Sequence, residues 1–267
     1  MKISIITPCY NSEKTIKRTI DSVVTQKCDS FDLEYIIVDG VSTDSTLNII
    51  KEYSDKYPFI RYISEKDDSM TEALNKGMKM ATGDVVASIN ADDTYLPGTL
   101  GRVAEEYKTK KIDILLVNTY IIRDGGNVKS HNTPKFFSPF LSSLVECPFP
   151  ECAIFFRKGC VENLNFFNEK YKYTQDLELY IRLYENGYRF RYANIDGSCF
   201  FVSDTNYSSV ISDKMCEEVC DYIRWRKLYK YIATSFISKI LRCVLGLRHY
   251  YVFKKFTYQD ILTDFWS

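Results

Sequence analysis

Apolar and polar positions alternate in two rhythms through the first hundred residues. Ile3 to Thr7 forms a short apolar run that Pro8 closes, the pattern of a buried strand. Ile16, Ile20, Val23 and Val24 then recur at helical spacing and predict an amphipathic helix capped by Asn11 or Ser12. Tyr35 to Val38 repeats the strand pattern and ends at Asp39-Gly40. The polar turn Ser42-Thr43-Asp44 opens a second helix bearing Leu47, Ile49, Ile50 and Tyr53. A third strand is expected at Phe59 to Ile63. Ser69 with Glu72 reads as a capping box that starts a helix running to Met80. Thr82-Gly83-Asp84 then turns into a fourth apolar run, Val85 to Ile89.

Strands alternating with helices at this pitch imply βαβ units and a mainly parallel sheet. In such sheets ligands bind beyond the carboxyl ends of the strands. Asp39, Asp67, Asp68 and the pair Asp92-Asp93 all fall at or just past strand ends, so they are expected to line one crevice. Taken alone, Asp92-Asp93 ahead of Pro97 reads equally as a solvated turn with capping aspartates. In company with the other strand-end carboxylates it reads as a corner that needs a cation. Hard divalent ions take carboxylate oxygens and share them with substrate phosphates.

After Pro97 the pattern loosens. A helix is expected from Leu100 to Tyr107, a strand from Ile112 to Arg123, and a hairpin turn at Asp124-Gly125-Gly126-Asn127. Residues 130–151 are rich in Pro, Phe and Ser without periodicity, which predicts a loop or lid. A helix from Asp176 to Asn186 is stopped by Gly187, and a late strand runs from Tyr188 to Ile195.

The chain has 267 residues, 45% hydrophobic and 26% charged, which excludes a mostly disordered protein. Its formal net charge of zero hides a division. Tyr222 to Gln259 carries nine Lys or Arg and no Asp or Glu, leaving an acidic body and a basic, aromatic tail. Within the tail Ile232, Phe236, Ile240, Val244 and Leu247 keep helical spacing, so the segment can lie on an anionic membrane surface. The alternatives are that it packs on the catalytic body or forms a homodimer interface. No nucleic-acid motif accompanies it. Nine irregularly spaced cysteines and two histidines fit buried reduced thiols better than a zinc site or a disulfide scaffold. Met1 to Ile6 runs straight into a strand without a signal-peptide pattern, and no apolar run reaches the ~18–20 residues of a bilayer span. The expectation is a cytoplasmic protein, peripheral on the inner face of the membrane.

Several strings converge on one family. Ile5-Ile6-Thr7-Pro8-Cys9-Tyr10-Asn11, Ile36-Ile37-Val38-Asp39-Gly40 and Ser42-Thr43-Asp44-Ser45-Thr46 together resemble the family 2 glycosyltransferases. So do Ser64-Glu65-Lys66-Asp67, Asn75-Lys76-Gly77, Ala81-Thr82-Gly83-Asp84 and Asn90-Ala91-Asp92-Asp93. The resemblance implies a GT-A fold, a Rossmann-like, mainly parallel mixed sheet flanked by helices. It also implies a nucleotide-sugar donor, Mn2+ or Mg2+, and inversion at the anomeric carbon. By position Pro8, Tyr10 and Asn11 resemble the first nucleotide-binding loop. Asp39 would accept the uracil N–H, Asp67 would lie beside the base or ribose, and Lys76 would contact the nucleotide-sugar. Asn90 and Asp92 would hold the ribose side, and Asp93 the metal.

An acceptor hydroxyl needs a general base on the opposite face of the sugar. Thr174-Gln175-Asp176-Leu177-Glu178-Leu179 with Arg182 resembles the family's acidic pair ahead of a helix, which makes Asp176 the expected base. Gln175 departs from the pattern, standing where an acidic residue is common. The alternative is that Asp176 caps the helix while Glu178 and Arg182 form a surface pair. Glu151, following Pro148-Phe149-Pro150, and His131 are weaker acceptor-side candidates. Ser69 replaces a common glycine, and residues 200–209 lack the family's Gly-Gly-Ser segment.

The expected organisation is a GT-A catalytic domain over 1–210, with a nucleotide-sugar half (1–97) and an acceptor half (98–210), then a helical basic-aromatic segment over 211–267. The expected activity is hexose or N-acetylhexosamine transfer from a UDP-sugar to a lipid-linked saccharide in bacterial O-antigen, capsule or exopolysaccharide assembly. The alternatives are an inactive nucleotide-binding partner subunit of a transferase complex and a nucleotidyltransferase. The latter would want a glycine-rich phosphate loop where this chain has Pro8-Cys9-Tyr10-Asn11.

Overall fold

The computed structural model describes residues 1–123, 127–132 by their backbone, 149–202, and Lys214 and Glu218. The chain opens with β1 (Lys2–Cys9), α1 (Ile16–Val24), β2 (Asp32–Asp39), α2 (Thr46–Lys56), β3 (Ile60–Ser64), α3 (Met70–Met80) and β4 (Val85–Ser88). It continues with β5 (Thr94–Tyr95), α4 (Thr99–Thr109), β6 (Ile114–Arg123), β7 (Asn127–Asn132), a single 3-10 turn (Glu151–Ala153) and β8 (Ile154–Arg157). The short α5 (Lys158–Glu162), then α6 (Gln175–Glu185) and β9 (Phe190–Val202) complete the described elements.

All nine described strands belong to one sheet in the order β3-β2-β1-β4-β8-β6-β9-β5, with β7 paired to β6. β3, β2, β1 and β4 are parallel, as the alternating pattern predicts. β8 is antiparallel to both β4 and β6, while β6 and β9 run parallel. The apolar runs of β1 and β2 are buried on both faces because helices cover both sides of the sheet. α1 turns Ile16, Ile20 and Val23 into the core, as its spacing requires. α3 crosses β1 and β2 so closely that a Cβ on Gly77 would meet Ile6 Cγ2 at 2.3 Å.

The capping box is present in modified form. Ser69 Oγ accepts from Glu72 N at 3.3 Å, while the Glu72 carboxylate reaches back to Asp68 N at 2.8 Å. The predicted cap of α1 is corrected. Thr15 stands at the N-cap without a side-chain cap bond, Ser12 supplies only its carbonyl to the helix start, and Asn11 is turned into the left-handed region with φ 47°. Pro8 does not end β1. β4 pairs only as far as Ile6, so one edge of β1 is open there and the missing N–H is tolerated. β6 and β7 pair antiparallel as a hairpin, and β9 extends to Val202, well beyond the predicted end.

At the amino ends of the strands, Glu34 ties three segments together. Its buried carboxylate accepts from Ser4 Oγ (2.6 Å), Thr82 N (2.7 Å) and Oγ1 (2.9 Å), Lys2 Nζ (3.2 Å) and Arg61 Nη1 (3.1 Å). Burial raises this carboxyl, but the hydrogen bonds from Ser4, Thr82 and Lys2 outweigh it and hold the pKa at about 2. A depressed carboxyl contributes stability above its ordinary value, about 4.5, and loses it as the pH falls toward 2. Glu34→Gln is expected to lose roughly 2–3 kcal/mol at pH 7 and almost nothing near pH 2, read from urea melts at both.

Candidate active site

Because β1 to β4 are parallel, the residues after each carboxyl end meet at one edge of the sheet. Cys9 and Asp39 are in register, as are Asp39 and Ser64, so Tyr10, Gly40 and the Glu65–Asp67 loop are neighbours. A Cβ on Gly40 would sit 3.5 Å from the Tyr10 ring and 3.6 Å from Asp67 Oδ2, so the glycine keeps a slot open between them. The Tyr10 ring is 62% exposed at the mouth, and Val41 beside it is exposed in the left-handed region with φ 62°. A β-branched residue there stores on the order of 1–3 kcal/mol of strain, a feature that clusters at binding sites.

Asp39 is fully buried. Ser42 Oγ (2.5 Å), Ser42 N and Ser64 Oγ (2.6 Å) all donate to its carboxylate. It therefore organises the 40–43 loop. Asn11 Oδ1 accepts from Thr43 N at 2.8 Å and clips the first loop to the second. Lys76 is surrounded by Asp67 Oδ1 (2.5 Å), Glu65 (3.1 Å), Glu72 (3.2 Å) and the Lys66 carbonyl (2.9 Å). It fixes the Asp67 loop, leaving Asp67 Oδ2 buried without a donor. Burial raises the Asp67 carboxyl and Lys76 opposes the rise.

After β4, Asp93 N closes a turn onto the Asn90 carbonyl. Asp93 is fully enclosed, and Phe201 N donates to its Oδ1 at 2.9 Å. Asp92 is half-buried. Arg18 Nη2 donates to the Asp92 carbonyl at 2.7 Å and Thr19 Oγ1 to the Asp93 carbonyl at 2.8 Å. The guanidinium stacks 3.6 Å from the centroid of the Phe201 ring. α1, the Asp92-Asp93 loop and β9 are thus one knot. Arg18 and Phe201 are residues that sequence reasoning missed, because their partners lie far away in the chain. Burial raises both carboxyls, Asp93 well above the usual range, with Asp92 adding repulsion and the Phe201 amide and Arg18 opposing.

Two adjacent raised carboxylates, one with an orphaned buried oxygen, fit a hard divalent cation that draws its remaining ligands from substrate and water. Among the described residues no three His, Cys, Asp or Glu side chains converge as a ready-made metal site.

On the other bank, Asp176 is the second residue of α6 and half-buried, its Oδ1 accepting from Leu177 N at 2.7 Å. Thr174, not Asp176, is the N-cap residue. Glu178 and Arg182 are not a surface pair. Glu178 is buried and the Arg182 side chain largely covered, and the Arg182 fork also donates to the carbonyls of Leu164 and Phe166 at 2.6 Å. That clamp holds Asn165 and Phe166, both in the left-handed region. Glu151 is buried, with Ser88 Oγ donating to it at 2.9 Å. Burial and then Asp176 push its carboxyl up to about 8, against the Ser88 bond. Between about pH 4.5 and pH 8 the folded state holds a proton that the unfolded state has lost, so this site costs stability as pH rises through that window. Glu151→Gln keeps an acceptor for Ser88 and is expected to raise the melting temperature by several degrees more at pH 8.5 than at pH 5, by roughly 2–4 °C per kcal/mol. His131 lies on β7 opposite Tyr120, and its side chain falls outside the described residues.

Among the described residues, most buried polar atoms that no protein group satisfies gather at these two banks. They are Arg18 Nε, Asp67 Oδ2, Asn90 Oδ1 and Asp93 Oδ2 on one, and Gln175 Oε1 on the other. Native interiors leave few such atoms, and a cluster of them points to a partner from outside the chain. The described cysteines are free, all buried except Cys28.

The family model described as glycosyl transferase family 2 matches residues 4–195. Chondroitin synthase of Escherichia coli is 29% identical over 192 residues, 69% of this chain and 27% of that protein. The minor teichoic acid biosynthesis protein GgaB of Bacillus subtilis strain 168 is 29% identical over 182 residues, 66% of this chain and 20% of that protein. The chain thus spans about a quarter and a fifth of these relatives' lengths. Among solved structures, S. aureus TarS 1-349 in complex with UDP-GlcNAc superposes with a TM-score of 0.67 at 22% identity, over 79% of this chain and 61% of that one. The fold is GT-A, as the resemblance implied.

Proposed function

We propose, from the premise that the chain belongs to glycosyl transferase family 2, that its crevice binds a UDP-sugar and transfers the sugar, with inversion, to a saccharide hydroxyl. The observation that carries this reading is the set of orphaned buried polar atoms in the loops after the parallel strands and at the start of α6. An ion and a polar donor would satisfy the β4 bank and Asp67. An acceptor hydroxyl would be met on the α6 bank, where Asp176 stands beside Gln175. UDP is favoured because the fold's relative TarS binds UDP-GlcNAc.

Asp92, the half-buried member of the pair, would hold the ion, while Asp93, fully buried with Phe201 N on its Oδ1, would offer it at most the orphaned Oδ2. This divides the pair differently from the sequence expectation, which gave Asp93 the metal. Mn2+ or Mg2+ held there would neutralise charge that grows on the diphosphate as the glycosidic bond breaks. Tyr10 and Gly40 would flank the base, with Asn11 holding the loop beneath it. Asp176 would take the acceptor proton as its oxygen attacks the anomeric carbon. The two similar polymer-assembly proteins support an acceptor that is a growing bacterial surface glycan. The cationic tail, Tyr222 to Gln259, suits an enzyme held at an anionic membrane where such acceptors are lipid-linked. That stretch lies outside the described residues. Among the described residues no helix is long and apolar enough to cross a membrane.

The test is incubation of the full chain with Mn2+ and a panel of nucleotide sugars, monitoring nucleotide release with and without saccharide acceptors. Release from a UDP-sugar, accelerated by one acceptor, is expected. Folded protein that neither releases nor binds any of the nucleotides would refute the proposal.

A further inference from the structure

A carboxylate from the C-terminal segment grips the turn that delivers Asp176. Glu218 Oε1 accepts from Lys172 N at 2.8 Å, and its Oε2 from Tyr173 N at 2.9 Å, Thr174 N at 3.0 Å and Thr174 Oγ1 at 3.1 Å. Three successive amides turned onto one carboxylate form an anion nest. These amides lie directly ahead of α6, whose first N–H groups have no acceptor within the helix. The N-cap residue Thr174 makes no side-chain cap bond of its own. A carboxylate at that end also sits well in the helix dipole.

A second contact comes from the same segment. Lys214 Nζ stands 5.7 Å from the centroid of the Tyr173 ring. Lys214 and Glu218 are both helical, and both meet the 172–174 turn. The far side of the turn is tied to the donor half, where Thr71 Oγ1 at the start of α3 donates to the Tyr171 carbonyl at 2.8 Å. The turn is therefore held from both sides, and Asp176 follows two residues after Thr174.

We propose that Glu218 is a positioning residue for sugar transfer, which sets Asp176 against the acceptor by fixing the 172–174 turn at the head of α6. The proposal rests on the reading of Asp176 as the base. Misplacing a reacting group by about 1 Å costs on the order of 10²-fold in rate. Glu218→Ala in the full chain is thus expected to lower kcat for transfer roughly 10–100-fold, with UDP affinity and binding stoichiometry unchanged. Glu218→Gln, which keeps one acceptor oxygen, should recover part of the rate, and added formate should rescue Glu218→Ala by entering the vacated nest. Amide exchange at residues 172–175 should quicken in Glu218→Ala, and this reads the contact without any acceptor. Wild-type kcat in Glu218→Ala, unchanged exchange at those amides, or a rate loss matched by an equal loss of UDP-binding sites would each overturn the proposal. If the wild type transfers no sugar, the functional reading fails, and exchange alone then decides whether Glu218 holds the turn.

Discussion

Asp176→Asn is expected to lower sugar transfer by roughly 10²–10⁴-fold, the usual contribution of a general base, while UDP binds as it does to the wild type. The substitution separates two roles that Asp176 could play. Asparagine serves as well as aspartate near a helix start, so a purely capping residue would tolerate it. It cannot accept a proton, so a base would not. Thr174 is the N-cap residue and Glu218 takes the amides ahead of α6, while Asp176 accepts from Leu177 N within the first turn. Stopped-flow or single-turnover measurement of transfer, alongside calorimetry with UDP, gives both numbers. Transfer within a few-fold of wild type would remove Asp176 from the chemistry.

Asp92→Asn is expected to abolish the metal dependence of UDP binding, weakening affinity in Mn2+ by roughly 10²-fold or more, since such an ion supplies several kcal/mol of charge stabilisation. The same measurement on Asp93→Asn separates the two members of the pair. Asp93→Asn keeps an acceptor for Phe201 N while removing a buried carboxyl that burial and Asp92 raise well above its usual range. Without metal, Asp93→Asn should therefore be at least as stable as the wild type at pH 7.5, whereas Asp92→Asn should show the larger loss of metal-linked affinity. Equal, metal-sensitive binding in wild type and Asp92→Asn would move the ion elsewhere.

Much of the donor side was legible in the sequence for one physical reason. Parallel strands bring residues next to their carboxyl ends together, so a strand pattern followed by Asp39, Asp67 or Asp92 already states where those residues meet. The Ser69–Glu72 cap was legible because its partners are three residues apart. What was not legible depends on distant partners. Nothing local in Ala153-Ile154-Phe155-Phe156 tells a buried strand from a buried helical turn, and β8 is set by pairing with β4 and β6. Arg18 reads as an ordinary polar position on α1 until Phe201 closes over it. Glu178 and Arg182 have surface-pair spacing, yet the left-handed residues Asn165 and Phe166 bring carbonyls onto the guanidinium and cover it. Lys76 sits among three carboxylates, Glu65, Asp67 and Glu72, a cluster of which only the Glu72 spacing is visible in the sequence.

The central claim is that the crevice at the carboxyl ends of β1 to β4 is a metal-assisted site for a nucleoside diphosphate, facing Asp176. Calorimetric titration of UDP into the full chain tests it most directly, run with Mn2+, with chelator, and on Asp92→Asn and Asp176→Asn. The expected result is one site per chain in Mn2+, lost with chelator and in Asp92→Asn, and intact in Asp176→Asn. Folded wild type that takes up no UDP, or takes it up equally with chelator and in Asp92→Asn, would contradict it.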